Sequence, residues 1–529
     1  MTSWDAVYER NSVERIKRDR APLGIREELP ALIAEGYERM AEEDVVRLQW
    51  WGLYHDKPKL GTFMLRVKIP SGILTPAKLR AIGEVADRYG RGDAELTTRQ
   101  CIQLHWLELA ALPDVFRDLE AAGITSAGGC GDTVRNITGC PVAGLAADEL
   151  FDSTPAIEAA TAEFYGNPAW ANLPRKHKYS IASCPDRCNA PELNCVSLVG
   201  VLHHGREGYG VLVGGGLSSV PRIARDLGVF VPKEQAVELL GAVTSVWSED
   251  LKYRLSRVKA RLKFMVDDLG AEGMRERVEA KLGRALERYE LPPAQSRFST
   301  HVGVHAQRDG LHYVGVPVPL GLTSGERLIA VADLVESFGG DVRLTRQQNL
   351  IVTGVRDVPA TLERLAALGL PLETNEVWAG SIACTGEPHC NFSVGETKAR
   401  LRELVAQLES EFGTAIADLR LHLDGCPHAC AQHWIGDLGF QATTGKDAHG
   451  NRIPAYDVFV RGGRDRIGAS LFRRVPSAEL EPAVAGLVRG WLAGREGAES
   501  FTDFQLRLSD EELGALAGLE PVVKRKVAA

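Results

Sequence analysis

The sequence predicts an α+β fold built twice from one plan, and two observations carry that expectation. The segment TFMLRVKIPSGILTPAKLRAIGEVADRYGRGDAELTTRQCIQLHWL, starting at Thr62, is echoed by HYVGVPVPLGLTSGERLIAVADLVESFGGDVRLTRQQNLIVTGV, starting at His312. Each reads as a strand, a turn, an amphipathic helix, a second turn and a strand opened by LTTRQ or LTRQQ. The match then extends beyond that unit. IASCPDRC, followed by NAPELNCVSLVGV and YGVLVGGGLSS, is paralleled by LHLDGCPHAC, followed by AQHWIGDLGF and YDVFVRGG. A repeat of this length means two copies of one architecture.

In chain order, residues 1–50 are charged and helix-like and read as an arm packed over the body. Residues 51–140 hold the first repeat and 141–295 its extension, with an Ala-rich helix over 150–172. Residues 233–290 carry a long helical period with opposite charges three or four apart, which reads as a solvated helical layer. Residues 296–375 hold the second repeat and 376–529 its extension. GREGAES reads as a surface loop before a final strand-like FTDFQLRLS.

Length and composition bound the function. A chain of 529 residues exceeds a single core. No apolar run approaches the roughly 20 residues of a membrane span, and MTSWDAVYERNSVERIKRDR is too polar for a secretory signal, so the expected location is the cytoplasm with no membrane partner. A net charge of −8 argues against nucleic acid as a partner. Ten cysteines are too few for a disulfide scaffold and read as thiols or metal ligands.

Four of those cysteines form two tight pairs, Cys384 and Cys390 in ACTGEPHC and Cys426 and Cys430 in DGCPHAC. Four soft thiolates are what an iron–sulfur cube needs. A structural zinc site is the alternative, although zinc pairs are commonly closer in sequence than the x5 and x3 steps found here. The repeat places Cys184 and Cys188 where the second half has Cys426 and Cys430, but Cys140 has no cysteine six residues on. One complete cluster and one incomplete copy are expected. Cys184, Cys188 and Cys195, with Cys130 or Cys140, could form a second metal centre, whereas plain packing of small buried thiols is the simpler reading.

Cations form the second constellation: Arg66 on the first repeat strand, Arg99 in TTRQ, Arg135 in GDTVRN, and Lys176 and Lys178 in LPRKHKYSIA. Residues at i and i+2 of a strand share a face, so Lys176 and Lys178 can point at one anion. Solvated surface charge is the competing reading.

Together, CTGEPHC with ETK downstream, GCPHAC followed by DLG, the LTTRQ and LTRQQ strands, DTVRN and LPRKHK resemble the siroheme-containing sulfite and nitrite reductases, in the same order from about Trp50 to about Val475. The resemblance implies two ferredoxin-like half-domains and two larger α/β lobes related by pseudo-twofold symmetry. It implies that Cys384, Cys390, Cys426 and Cys430 hold a [4Fe–4S] cluster, and that Cys430 is the thiolate shared with the siroheme iron. Arg66, Arg135, Lys176 and Lys178 are assigned to the substrate face, where cations bind a small inorganic anion, stabilise departing oxygen and relay protons. Arg99, Gln103 and Asn349 are expected to hold macrocycle carboxylates. Gly214, Gly215 and Gly216 would let backbone approach the cofactor, or simply make a tight loop.

The implied reaction is six-electron reduction of sulfite to sulfide. Lys178 matches the sulfite branch, where nitrite reductases usually carry asparagine, and Tyr54 with Cys130 resembles a sulfite-reducing subgroup in which the pair becomes a thioether. CTGEPHC and GETK look closer to the ferredoxin-dependent nitrite branch, which is the alternative. No nucleotide-binding fingerprint follows a strand, so a ferredoxin is the expected donor. Two remoter readings are a precorrin-modifying oxygenase and a non-catalytic, cofactor-carrying subunit.

Overall fold

The computed structural model describes residues 2–294, 299–372, 375–387 and 389–522. The boundaries expected at 295/296 and 375/376 fall at or beside undescribed positions. The chain forms two compact units, one of Met1–Gly216, Arg222–Val316 and Leu322–Leu372, the other of Leu217–Pro221, Pro317–Gly321 and Glu373–Ala529.

Both repeats lie in the first unit and exchange strands. One sheet runs Leu53–His55, Thr62–Val67, Ile102–Glu108, Asp93–Leu96 and then Leu322–Ser324 from the second repeat. The other runs Gly303–Ala306, His312–Val316, Leu350–Val355, Val342–Leu344 and then Ile73–Leu74 from the first. The helices Pro76–Tyr89 and Gly325–Glu336 start alike, with Thr75 and Ser324 accepting from the N–H of Lys78 and Arg327. Their apolar stripes, Leu79, Ile82, Val85 and Ala86 against Leu328, Val331, Ala332 and Val335, are buried at helical spacing. They approach so closely that a Cβ on Gly83 would lie 2.7 Å from the Gly325 carbonyl oxygen.

The LTTRQ and LTRQQ turns explain why the repeat is symmetric. Gln100 and Gln348 both take left-handed backbone (φ 54° and 64°). Gln100 donates to the Leu344 carbonyl at 2.9 Å, and Gln348 donates to the Leu96 carbonyl at 2.8 Å. Each repeat therefore satisfies a buried carbonyl of the other.

The two extensions share one strand plan. In the first unit Thr138–Gly139, Tyr179–Ala182 and Val196–His203 run parallel, followed by antiparallel Arg206–Val213, Arg225–Pro232 and Glu287–Arg288. In the second unit Ile382–Ala383, Leu421–Asp424 and Leu438–Lys446 run parallel, followed by antiparallel Arg452–Val460 and Ala469–Pro476. Parallel strands end side by side, so the loops leaving them converge on one edge.

Two sequence expectations need correction. Residues 233–290 are not a wholly solvated layer: Leu239, Leu240, Val243 and Trp247 of the helix Ala236–Ser248, and Met265, Val266, Met274 and Val278 of Leu262–Leu282, are buried in the lobe core. FTDFQLRLS is a helix over Phe501–Arg507, because Ser500 caps it and Phe501, Phe504 and Gln505 bury one face. The N-terminal arm is helical over Trp4–Arg10, Ser12–Asp19, Ile25–Glu35 and Glu42–Leu48. Buried Glu14 fastens it, pairing with Lys17 at 2.6 Å and Arg254 at 3.0 Å.

Candidate cofactor and anion site

The complete cysteine set is built at the ends of two parallel strands in the second unit. Cys384 directly follows Ile382–Ala383, and Cys426 lies two residues beyond Leu421–Asp424. Two glycines permit the tight packing there: a Cβ on Gly386 would lie 2.0 Å from Thr397 Oγ1, and one on Gly425 would lie 1.9 Å from Ser393 Oγ. Thr397 Oγ1 donates to the Cys384 carbonyl at 2.7 Å, and Lys398 Nζ to the Leu320 carbonyl at 2.6 Å. The ETK segment thus anchors the first cysteine loop. Asp424 anchors the second, accepting from the N–H groups of Ala431 at 2.7 Å and His433 at 3.1 Å.

The Gly425 N–H donates to Cys384 Sγ at 3.2 Å, a bond that favours a thiolate. Burial, then Asp424 and Cys430, hold the Cys384 thiol well above its ordinary range, and burial pushes Cys426 up to about 12, with Cys430 and Cys390 adding to the shift. Ionising this set needs positive charge at its centre, which iron supplies. Cys426 is buried, Cys384 and Cys390 are half-buried and Cys430 is exposed. The donor set fits a [4Fe–4S] cluster.

The cations lie in the first unit. Arg66 pairs across the sheet with Gln103 and donates to Gln103 Oε1 at 3.1 and 2.6 Å and to Cys130 Sγ at 3.3 Å. Gln103 in turn donates to Glu95 at 3.3 Å. Arg135 spends three of its N–H groups on the carbonyls of Gly129 and Gly131, so it shapes the loop that carries Cys130. Tyr54 shares this surrounding: burial raises its phenol to about 12, and the Cys130 thiol is the next influence, ahead of Arg135 and Arg66.

Around Lys178 the charges crowd. Burial, then Arg99, Arg261 and Lys176, hold its ammonium well below the ordinary lysine range. Burial lowers Arg99 to about 10 and Lys263 to about 7. Arg99 donates to the Asn194 amide oxygen at 2.9 Å and to the carbonyls of Asn136 at 2.5 Å and Tyr179 at 3.4 Å, and Arg261 donates to Cys195 Sγ at 3.3 Å. The buried Nε atoms of Arg99 and Arg261 have no hydrogen-bond partner. Arg261 and His177 hold the Cys195 thiol well below its ordinary range against the cost of its burial, so this one acceptor answers part of the charge. Cations that rest on carbonyls, an amide and this thiol, two of them with orphaned N–H groups, fit a ligand that brings its own carboxylates.

The other expected residues also lie in the first unit. The missing side chains of Gly214, Gly215 and Gly216 face Val266, the Glu192 carbonyl and Arg261, at 2.8, 2.4 and 2.3 Å, so protein packing alone accounts for the three glycines. Asn349 is buried in its turn, where its N–H donates to Thr345 Oγ1 at 3.1 Å. Cys195 sits with Arg261 and is separate from Cys140, Cys184 and Cys188. Sequence reasoning missed Arg261 and Lys263 because VKARLKF lies inside the stretch taken for a solvated helix.

Fold and donors describe a duplicated α+β protein with a cysteine set suited to an iron–sulfur cluster and a crowded group of buried cations, and the comparisons identify the family. The model of the nitrite and sulphite reductase 4Fe-4S domain matches residues 130–286, and that of the nitrite/sulfite reductase ferredoxin-like half domain matches 55–122 and 305–368. A sulfite reductase [ferredoxin] of Mycolicibacterium paratuberculosis is 35% identical, covering 95% of this chain and 96% of its own. An assimilatory ferredoxin-dependent nitrite reductase of Haloferax mediterranei is 37% identical, covering 92% and 90%. The structure of the Mycobacterium tuberculosis NirA protein superposes with a TM-score of 0.90 at 34% identity, covering 94% of this chain and 96% of that one. The chain belongs to the nitrite and sulphite reductase family, and is an oxidoreductase carrying siroheme and a [4Fe–4S] cluster. No helix among the described residues is long and apolar enough to cross a membrane.

Changing Cys384, Cys390, Cys426 or Cys430 singly to serine is expected to remove cluster absorption and acid-labile sulfide, because an alkoxide is a poor partner for iron–sulfur chemistry. Full iron and sulfide in all four variants would refute this ligand set.

Proposed function

We propose that this chain reduces sulfite to sulfide with electrons from a ferredoxin. The observation that supports the reading is the crowding of Arg99, Arg261 and Lys176 around buried Lys178, a group of cations suited to one small anion. Sulfite, a dianion over much of the neutral range, gains more from the second lysine than nitrite does. The relatives named as ferredoxin-dependent sulfite reductases support the donor and the substrate, and the Haloferax mediterranei relative keeps nitrite as the second reading.

Siroheme and the cube, when bound, supply the electron-accepting and electron-delivering centres. Arg99, Gln103, Asn349, Arg261 and Lys263 would hold macrocycle carboxylates, and Cys384, Cys390, Cys426 and Cys430 the cube, with Cys430 shared. Arg66, Lys176 and Lys178 bind and orient the anion. Lys178 releases its proton more readily than a solvated lysine, because burial and neighbouring cations disfavour its charge. Arg135 keeps two N–H groups for the anion beyond those given to the glycine loop.

Tyr54 and Cys130 lie together in this cationic surrounding. Coupling of the phenol ring to the thiol would break the ring C–H and the S–H bonds and form a thioether, with dioxygen as the external two-electron oxidant; intact mass should then show a loss of two hydrogens that disappears in Tyr54→Phe. Active protein with no deficit would leave the pair as packing.

Purified protein assayed anaerobically with reduced ferredoxin or methyl viologen should give a higher kcat/KM for sulfide from sulfite than for ammonia from nitrite. Lys178→Asn should lower that ratio about tenfold, the equivalent of one charge-assisted hydrogen bond of about 1.5 kcal/mol. An unchanged ratio would remove Lys178 from substrate choice, and a wild-type preference for nitrite would establish the second reading.

A further inference from the structure

The incomplete copy of the cysteine site is more complete than its sequence spacing implies. Gly139 pairs with Ile181 in the first lobe, and Ala383 pairs with Leu423 in the second. Cys140 and Cys384 are therefore the next residues along equivalent strands. Cys184 lies two residues beyond its strand end at Ala182, as Cys426 does beyond Asp424, and each is followed at the same step by Cys188 or Cys430. Three of the four cube positions are thus occupied by cysteine in register. The fourth, six residues after Cys140, is Ala146, so four thiolates cannot be assembled.

A histidine from a distant segment enters instead. His301 Nε2 lies 3.1 Å from Cys188 Sγ. Cys140 lies beside both Cys184 and Cys188. All four side chains are buried, with exposures of 1% for Cys140, 5% for Cys184, 2% for Cys188 and 5% for His301. Cys140 and Cys184 pack with Val142, Ala143, Tyr313 and Ile351, while Arg346 Nε donates to the Cys188 carbonyl at 3.1 Å. The His301 segment is pressed onto the strand His312–Val316, where a Cβ on Gly315 would fall 1.7 Å from the His301 carbonyl oxygen.

We propose that Cys140, Cys184, Cys188 and His301 form a structural zinc site. Three thiolates and one imidazole are an established zinc donor set, and a tetrahedron with Zn–S of about 2.3 Å sets neighbouring sulfurs about 3.8 Å apart, which is contact distance. His301 meets Cys188 at 3.1 Å, and Cys140 lies beside both Cys188 and Cys184, so the four donors form a chain of neighbours. Closing this chain into a tetrahedron needs rotation of the end members, since no three of these donor atoms all lie within 4.8 Å of one another. Binding replaces the shared thiol protons with one ion and ties the His301 segment to the loops after two strands of the lobe. Duplication left a second cysteine cradle, and the alanine at the fourth position with the incoming histidine refits it from a cube to a single ion.

The test is metal analysis of the holoenzyme, purified without added zinc and dialysed against a mild chelator. About one zinc per chain is expected, with three sulfur and one nitrogen neighbours in zinc-edge X-ray absorption. His301→Gln and Cys188→Ser should each lower zinc occupancy at least tenfold and leave the iron of the cube and siroheme unchanged. The absorption measurement needs no variant, so a misfolded mutant does not shield the proposal. Wild-type zinc below about a tenth per chain would overturn it. So would iron beyond the five atoms of one cube and siroheme that is lost in Cys188→Ser, or a disulfide joining Cys140 to Cys184 or Cys188.

Discussion

Arginine and lysine packed where no carboxylate answers them are the constraint on which this structure turns. Arg99, Arg135 and Arg261 end their hydrogen bonds on carbonyls, an amide and a thiol, and two of them keep a buried N–H without a partner. Such groups cost several kcal/mol in an isolated fold. A protein of net charge −8 has acidic residues to spare, yet none is bonded to these three among the described residues. A ligand with many carboxylates and a small anion would offset that cost, and in the proposed reading the fold holds charge in reserve for binding. The second unit shows the opposite sign of the same device: burial holds the thiols of Cys384 and Cys426 above their ordinary range, a cost that iron would offset in the proposed ligand set.

Duplication supplies the rigidity that this demands. Gln100 and Gln348 each hold a carbonyl of the other repeat, and each repeat lends a strand to the other's sheet. The cations at Arg66 and Arg99 therefore sit on elements fixed from both sides. Equivalent parallel strands in the two lobes then set equivalent loops, and these loops diverged: one kept four cysteines, the other exchanged one for Ala146.

Much of this was legible in the sequence because the repeat and the cysteine spacing are local patterns. Thr62–Val67 and His312–Val316 showed themselves by alternation, and Cys384, Cys390, Cys426 and Cys430 by their pairing. What stayed hidden depended on contacts distant in the chain. His301 meets Cys188 across 113 residues, a distance at which spacing carries no signal. Arg261 escaped because its helix shows many charges, and only packing reveals that the start of that helix is buried. FTDFQLRLS misled because its alternating apolar residues also fit a helix once Ser500 caps it.

The most direct test of charge held in reserve is the siroheme content and thermal stability of Arg261→Met, a near-isosteric change that removes one buried cation bonded to no carboxylate. Siroheme per chain should fall well below one, while the siroheme-free variant should melt at or above the temperature of siroheme-free wild type, because a buried cation without a carboxylate has been replaced by an apolar side chain. Full siroheme occupancy with a lowered melting temperature would show instead that Arg261 is part of the packing, and would contradict the account.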